Sequence, residues 1–152
     1  MEKQKVAILL IIDDEKTEED TEPLKKVFEE NNIDVVYISH VPSMRNMISE
    51  EVFSLVGKGV DLIVTIGGLG LKSKDITPEA IDSILDRRIQ GLEILTFFEF
   101  IKEFPEIVLF RILVGVIRES LIICLPENMK KTAKIMTKIL PSLKKVIEEL
   151  KN

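Results

Sequence analysis

Three of the chain's seven glycines fall within four positions, at Gly67, Gly68 and Gly70 of the stretch TIGGLGLKSKDITPEA, residues 65–80. Glycines tolerate positive φ and leave backbone N–H groups unobstructed, which suits a loop that cradles a phosphate or carboxylate. Lys72 and Lys74 follow with positive charge, and Asp75 supplies a carboxylate. Thr77 then reads as a helix N-cap, with Pro78 at the first helical position and Glu79 beside the positive dipole end. The loop is not a P-loop, because the G-K-[ST] ending is missing, and it is not the dinucleotide G-x-G-x-x-G. From spacing alone, a plain strand-to-helix turn stands as an equal alternative.

A second group of chemically able residues lies between Asp13 and Glu22, where seven carboxylates face one lysine. Such a loop repels a bare phosphate but suits Mg²⁺, which binds phosphates together with one or two carboxylates; a solvated acidic loop is the plainer reading. The single cysteine, Cys124, lies in the apolar run SLIICLP, so neither an intrachain disulfide nor a cysteine-based metal cluster is available. The single histidine, His40, has no nucleophile motif such as G-x-S-x-G to serve.

These residues must be positioned by the elements around them. Val6 to Ile12 is apolar throughout, as in a strand buried on both faces of a parallel sheet. Pro23 opens a helix carrying Leu24, Val27 and Phe28, and IDVVYIS reads as a second strand. Ser43 is placed to cap a helix that carries Met47, Ile48, Val52, Leu55 and Val56 and ends at Gly57 and Gly59. VDLIVTI is a third buried strand, leading into the glycine loop. Phe97, Phe100, Ile101 and Phe104 share a helical face that Pro105 ends, while Phe98 faces elsewhere. IVLFRILVGVI and SLIICLP read as two further strands joined by a turn at Arg118–Glu119. From Asn128 the chain is helical, with Pro141 expected to divide it into two pieces. The order predicts an α/β fold: a three-layer sandwich with a largely parallel central sheet and helices on both faces. Residues 1–152 are expected to form one domain. Loops leaving the carboxyl ends of parallel strands gather on one edge, where ligands bind. Segments 13–22, 40–44, 67–77 and 126–130 should therefore meet there.

Composition narrows the function classes. Hydrophobic residues make 45% of the chain, charged residues 31%, and the net charge is −5, which disfavours nucleic acid as the main partner. The longest N-terminal apolar run has seven residues, against about 20 for a membrane-spanning helix. A cytoplasmic location with no membrane partner is the expectation.

The glycine stretch resembles the T-x-G-G-T-G-x-x-x-x-D-[VI]-T-P-E-A signature of the MoaB/Mog family of molybdenum-cofactor biosynthesis proteins. The resemblance extends along the chain in order. VAILLIIDD and TEEDTEPL are similar to the first strand and its S-D…D-[TS]-S-G-x-x-L segment, and DVVYISHVPS to the strand leading to V-P-D. RIQGLEIL is similar to I-P-G-F-G-E-L, FRILVGVI to S-R-A-x-A-G-V, and SLIICLPEN to the strand running into L-P-G-S-P. The resemblance implies a molybdopterin-binding domain, molybdopterin as ligand or substrate, and assembly into a homotrimer or hexamer. Catalytic members adenylylate the pterin phosphate from Mg-ATP. It further implies Asp75 and Asp20 as catalytic candidates, with Asp75 on Mg²⁺. Thr65, Gly67, Gly68, Leu69, Gly70, Lys72, Lys74, Thr77, Glu79, Asp13, Ser43 and Arg111 would bind substrate or phosphate, and no structural metal is implied. The chain departs from the family pattern at Ile12, Glu22-Pro23, Ser43, Leu69, Ile94, Phe110 and, after Leu125-Pro126, at Glu127-Asn128-Met129. Three functions are compatible with this combination: pterin-phosphate binding with adenylyl transfer, binding or assembly without catalysis, and hydrolysis of a nucleotide phosphate as in competence-damage-type proteins.

Overall fold

The computed structural model describes residues 3–13 and 20–152, so Asp14 and most of the acidic loop lie outside the described residues. The apolar run Val6–Ile12 forms most of β1 (Gln4–Ile12), whose buried residues alternate between two cores. Val6, Ile8 and Leu10 enter one core and Ala7, Leu9 and Ile11 the other, as a two-sided strand requires. β2 (Ile33–Pro42) and β3 (Leu62–Ile66) flank β1, both parallel to it. β3 pairs in turn with β6 (Ser120–Leu125), also in parallel. β5 (Leu113–Ile117) is antiparallel to β6, and the two-residue β4 (Arg87–Arg88) is antiparallel to β5. The sheet order is β2-β1-β3-β6-β5-β4, with β5 alone running against the rest.

Helices cover both faces, giving the three layers expected. α1 (Glu22–Glu30), α4 (Gln90–Ile101) and α5 (Met129–Leu150) seal the core that contains Leu24, Phe28, Phe100 and Leu143. α2 (Arg45–Gly57) and α3 (Thr77–Asp82) seal the core that contains Ile48, Val52, Leu69 and Ile81. The chain leaves β1 toward β2 on one side and returns past β1 to β3 on the other, so α1 and α2 lie on opposite faces. That reversal makes the carboxyl ends of β1 and β3 a switch point, where open α/β sheets form a ligand crevice.

Three expectations are corrected. Pro141 does not divide the last helix: α5 runs unbroken through it. Met136, Ile139, Leu140, Leu143 and Ile147 form one buried stripe that stays in phase across Pro141. Burial worth roughly 1.5–3 kcal/mol per large aliphatic side chain outweighs the ~3 kcal/mol local cost of the proline. The proline itself is exposed. Second, IVLFRILVGVI is not one strand. Pro105–Leu109 is a 3-10 turn that buries Ile107, and only Leu113–Ile117 joins the sheet. The Phe104 and Phe110 rings lie 5.9 Å apart and bracket that turn. Third, α4 ends at Ile101, four residues before the proline expected to stop it. Phe98 is exposed and Phe100 buried, as their helical spacing requires.

Among the described residues no helix is long and apolar enough to cross a membrane. Cys124 is fully buried on β6, and burial pushes its thiol up to about 12. The unfolded thiol titrates near its ordinary value of about 8.5, so the folded state holds the raised pKa. Its contribution to stability is therefore fully present below about pH 8.5 and is lost as pH rises toward 12, at up to ~1.4 kcal/mol per unit. Iodoacetamide at pH 9 should alkylate Cys124 only as fast as the chain unfolds globally; faster labelling of the native protein would show that the thiol is not sealed.

Candidate functional site

Gly67 follows β3 directly, and its amide donates to the Leu125 carbonyl at 2.9 Å, which ties the start of the loop to the end of β6. Gly68 then turns at φ +73°, a conformation L side chains rarely adopt. A β-carbon there would lie 2.1 Å from the Thr77 hydroxyl. Thr77 does not cap α3 as expected. Its hydroxyl donates to the Gly67 carbonyl at 3.0 Å and its amide to Gly68 at 3.1 Å, closing the loop across its neck. A β-carbon at Gly70 would lie 2.6 Å from Asp75 Oδ2, so the missing side chain makes room for that carboxylate. The Lys72 amide donates to Asp75 Oδ2 at 3.1 Å and fixes its orientation.

The loop borders a cleft of about 440 Å³ lined by Gly70, Leu71, Lys72, Lys74, Asp75, Leu109, Phe110 and Glu127. Neighbouring loops attach to it. Lys74 Nζ lies 3.5 Å from Asp13 Oδ2, which brings the end of β1 to the loop. Ser43 does not cap α2, whose N-cap is Met44 and has no side-chain cap bond. The Ser43 hydroxyl donates instead to the Lys74 carbonyl at 2.7 Å, and its amide donates to Ile12. Glu127 borders a second hollow of about 480 Å³ with Asp20, Pro23, Asn128, Met129 and Lys130. Segments after β1, β2, β3 and β6 thus meet on one edge, as the parallel topology predicts.

The residues singled out from sequence fall into four groups, the last being the Arg111–Glu79 pair. Gly70, Lys72, Lys74 and Asp75 line the cleft. Asp13 and Ser43 are joined to it through Lys74, while Asp20 lies in the second hollow, where its Oδ1 accepts the Glu22 amide. Thr65, Gly67, Gly68, Leu69 and Thr77 lie beneath it, buried. Leu69 does not fill the cleft; its side chain packs into the α2/α3 core. The Arg111 guanidinium donates to the Gly70 carbonyl from Nε and Nη2, to the Asp75 carbonyl from Nη2 at 2.7 Å, and to the Glu79 carboxylate from Nη1. Leu71, Leu109, Phe110 and Glu127 are cleft residues that sequence reading left out of the site. The meeting of segments 67–77 and 126–130 contained the signal for Glu127. Leu109 was hidden by the strand expected there.

Residues 9–145 match the family described as "Probable molybdopterin binding domain". The chain belongs to the MoaB/Mog family of molybdenum-cofactor biosynthesis proteins. It is similar to the Thermus thermophilus protein whose crystal structure is that of "the Molybdopterin biosynthesis enzyme MoaB", with 29% identity, a TM-score of 0.88, and coverage of 97% of this chain and 96% of that one. A stretch of 82 residues is 37% identical to gephyrin of Dictyostelium discoideum, covering 54% of this chain and 11% of gephyrin. The molybdopterin adenylyltransferase of Helicobacter pylori is 30% identical over 108 residues, 70% of this chain and 61% of that protein. The match thus spans less than two thirds of the length of either relative.

Within this MoaB/Mog member the G-F-G-E-like segment keeps an inward carboxylate one position early. Glu93 accepts the Val114 amide at 2.9 Å and pairs with Arg88, while Ile94 is exposed. Gly68→Ala should lower stability by roughly 1–3 kcal/mol, from positive φ and the clash with Thr77. Urea unfolding measures this, and a change below about 0.5 kcal/mol would show that the turn can adopt another shape.

Proposed function

We propose that this MoaB/Mog member binds molybdopterin by its phosphate in the glycine-loop cleft and moves an adenylyl group onto that phosphate from Mg-ATP. The observation that carries the reading is the composition of one cleft: two lysines, a loop backbone freed by glycine, an oriented carboxylate and an apolar wall. Lys72 and Lys74 supply charge to a phosphate, with backbone amides beside them. Leu71, Leu109 and Phe110 offer surface to a flat heterocycle. In the transfer, a pterin phosphate oxygen bonds to the α-phosphorus of ATP and the bond to pyrophosphate breaks. Such in-line chemistry depends on positioning and charge stabilisation rather than on a protein nucleophile.

Magnesium enters with the nucleotide. Asp75 and Glu127 are the carboxylates lining the cleft, matching the one or two that Mg²⁺ takes alongside substrate phosphates and water. Asp75 would hold the ion and Lys72 the phosphates.

One observation favours binding without transfer. At the place of the family's V-P-D acid, Ser43 has no carboxylate and its hydroxyl is engaged by the Lys74 carbonyl. Incubation with molybdopterin and Mg-ATP separates the readings. Adenylylated product is expected, reduced on the order of 100-fold by Asp75→Asn, since charge stabilisation is the large catalytic term. Micromolar binding of molybdopterin with no product would establish the binding-only reading, and no binding would refute both.

The homotrimer or hexamer implied by the family resemblance belongs to the same proposal. Ile94 and Phe98, one turn apart and exposed on α4, are its support. Analytical ultracentrifugation should show a trimer or hexamer at micromolar concentration; a monomer would refute it.

A further inference from the structure

Arg111 is a charged residue beside the glycine loop whose guanidinium bonds run to two loop carbonyls and to the exposed Glu79 carboxylate. It lies two residues before β5, outside the loop sequence, yet it bonds to both limbs of the loop, at Leu69 and Gly70 and at Asp75. Its own amide donates to the Leu69 carbonyl at 2.9 Å. Nε and Nη2 donate to Gly70 at 3.1 and 3.0 Å, on the limb that enters the cleft. Nη2 also reaches the Asp75 carbonyl, on the limb that leaves it. Nη1 pairs with Glu79 on α3. All three guanidinium nitrogens are thus engaged, and the partner carboxylate offsets the charge. Between Gly70 and Asp75 the other ties to neighbouring segments are at Lys74, whose carbonyl accepts the Ser43 hydroxyl and whose ammonium pairs with Asp13. Leu71, Lys72 and Ser73 are exposed, and the internal bonds there are the Lys72 amide to Asp75 Oδ2 and the Asp75 amide to the Lys72 carbonyl.

We infer that Arg111 is a positioning residue of the cleft, fixing the shape of residues 70–75 so that Lys72 and Asp75 face one ligand, and that its charge does not bind the ligand's phosphate. This differs from the sequence expectation that Arg111 adds charge to the phosphate site, and it rests on reading the cleft as that site. The planar fork of a guanidinium can bridge two carbonyls and a carboxylate at once, whereas a lysine ammonium is a single point of attachment. The distinction gives a sharp test, because Arg111→Lys keeps the charge and removes the fork.

Hydrogen exchange on the ligand-free protein is the first arm. In Arg111→Lys the amides of residues 70–76 should exchange about tenfold faster or more, with those of β1 and β3 unchanged. Calorimetry with inorganic pyrophosphate and Mg²⁺ at several salt concentrations is the second. Arg111→Lys should bind about tenfold more weakly with the wild-type salt dependence, whereas Lys72→Ala should flatten that dependence. Wild-type exchange in the loop, or wild-type pyrophosphate affinity for Arg111→Lys, would overturn the inference. Should Arg111→Lys fail to fold, Glu79→Gln takes its place: faster loop exchange supports the clamp, and unchanged exchange refutes it. A wild-type protein that binds no pyrophosphate would refute the phosphate reading of the cleft and leave the exchange arm to decide the clamp.

Discussion

At Gly68 the backbone turns so close to Thr77 that a β-carbon would lie inside the threonine hydroxyl's contact distance. This close approach governs the site. It lets Thr77 bond across the neck of the loop, and with the Gly67 amide fixed to Leu125 the loop starts at a defined point above β3. β3 lies between β1 and β6 and is buried along its length, so that point cannot drift. Everything that follows, from the room left for Asp75 at Gly70 to the reach of Arg111, is measured from it.

Around this fixed neck the charged residues divide into two kinds. Arg111 and Glu79 bind protein groups and hold the loop's limbs together. Lys72, Lys74, Asp75 and Glu127 face the cleft, with Asp13 tethered through Lys74. The apolar wall of Leu71, Leu109 and Phe110 completes a pocket that is part charge and part hydrocarbon, the balance a phosphorylated heterocycle calls for. The departures from the family pattern distribute the same way. Leu69 moves a hydrophobic side chain into the α2/α3 core and leaves the cleft unfilled, while Ser43 replaces a carboxylate by a hydroxyl that braces Lys74.

Much of the fold was legible because long aliphatic runs can be buried in few ways. Val6–Ile12 is apolar throughout and VDLIVTI is apolar but for Asp61 and Thr65, so both read as two-sided strands; their order with the intervening helices then fixed the edge where loops meet. Local signals were weaker where tertiary contacts compete with them. Ser43 and Thr77 have the right type and position for caps, yet both hydroxyls bond to loop carbonyls instead. Pro141 has the local character of a helix breaker, but an in-phase stripe on both sides of it decides the matter. IVLFRI satisfies strand composition while Pro105 starts a 3-10 turn. In the site, the glycine turn was readable from spacing, while Asp75 was singled out by topology and by the family resemblance. The partners of Arg111 were not readable, because most of them are main-chain carbonyls, which leave no trace in residue type.

The direct test of a phosphate-binding glycine loop is a residue-by-residue map of where an anion acts. Backbone ¹⁵N chemical shifts, followed during titration with magnesium pyrophosphate, supply it. Saturable shifts confined to the amides of residues 67–75 and of Glu127 are the predicted result. Saturable shifts centred elsewhere, such as around Asp61 and Arg118 at the opposite end of the sheet, or no saturable shifts at all, would contradict it.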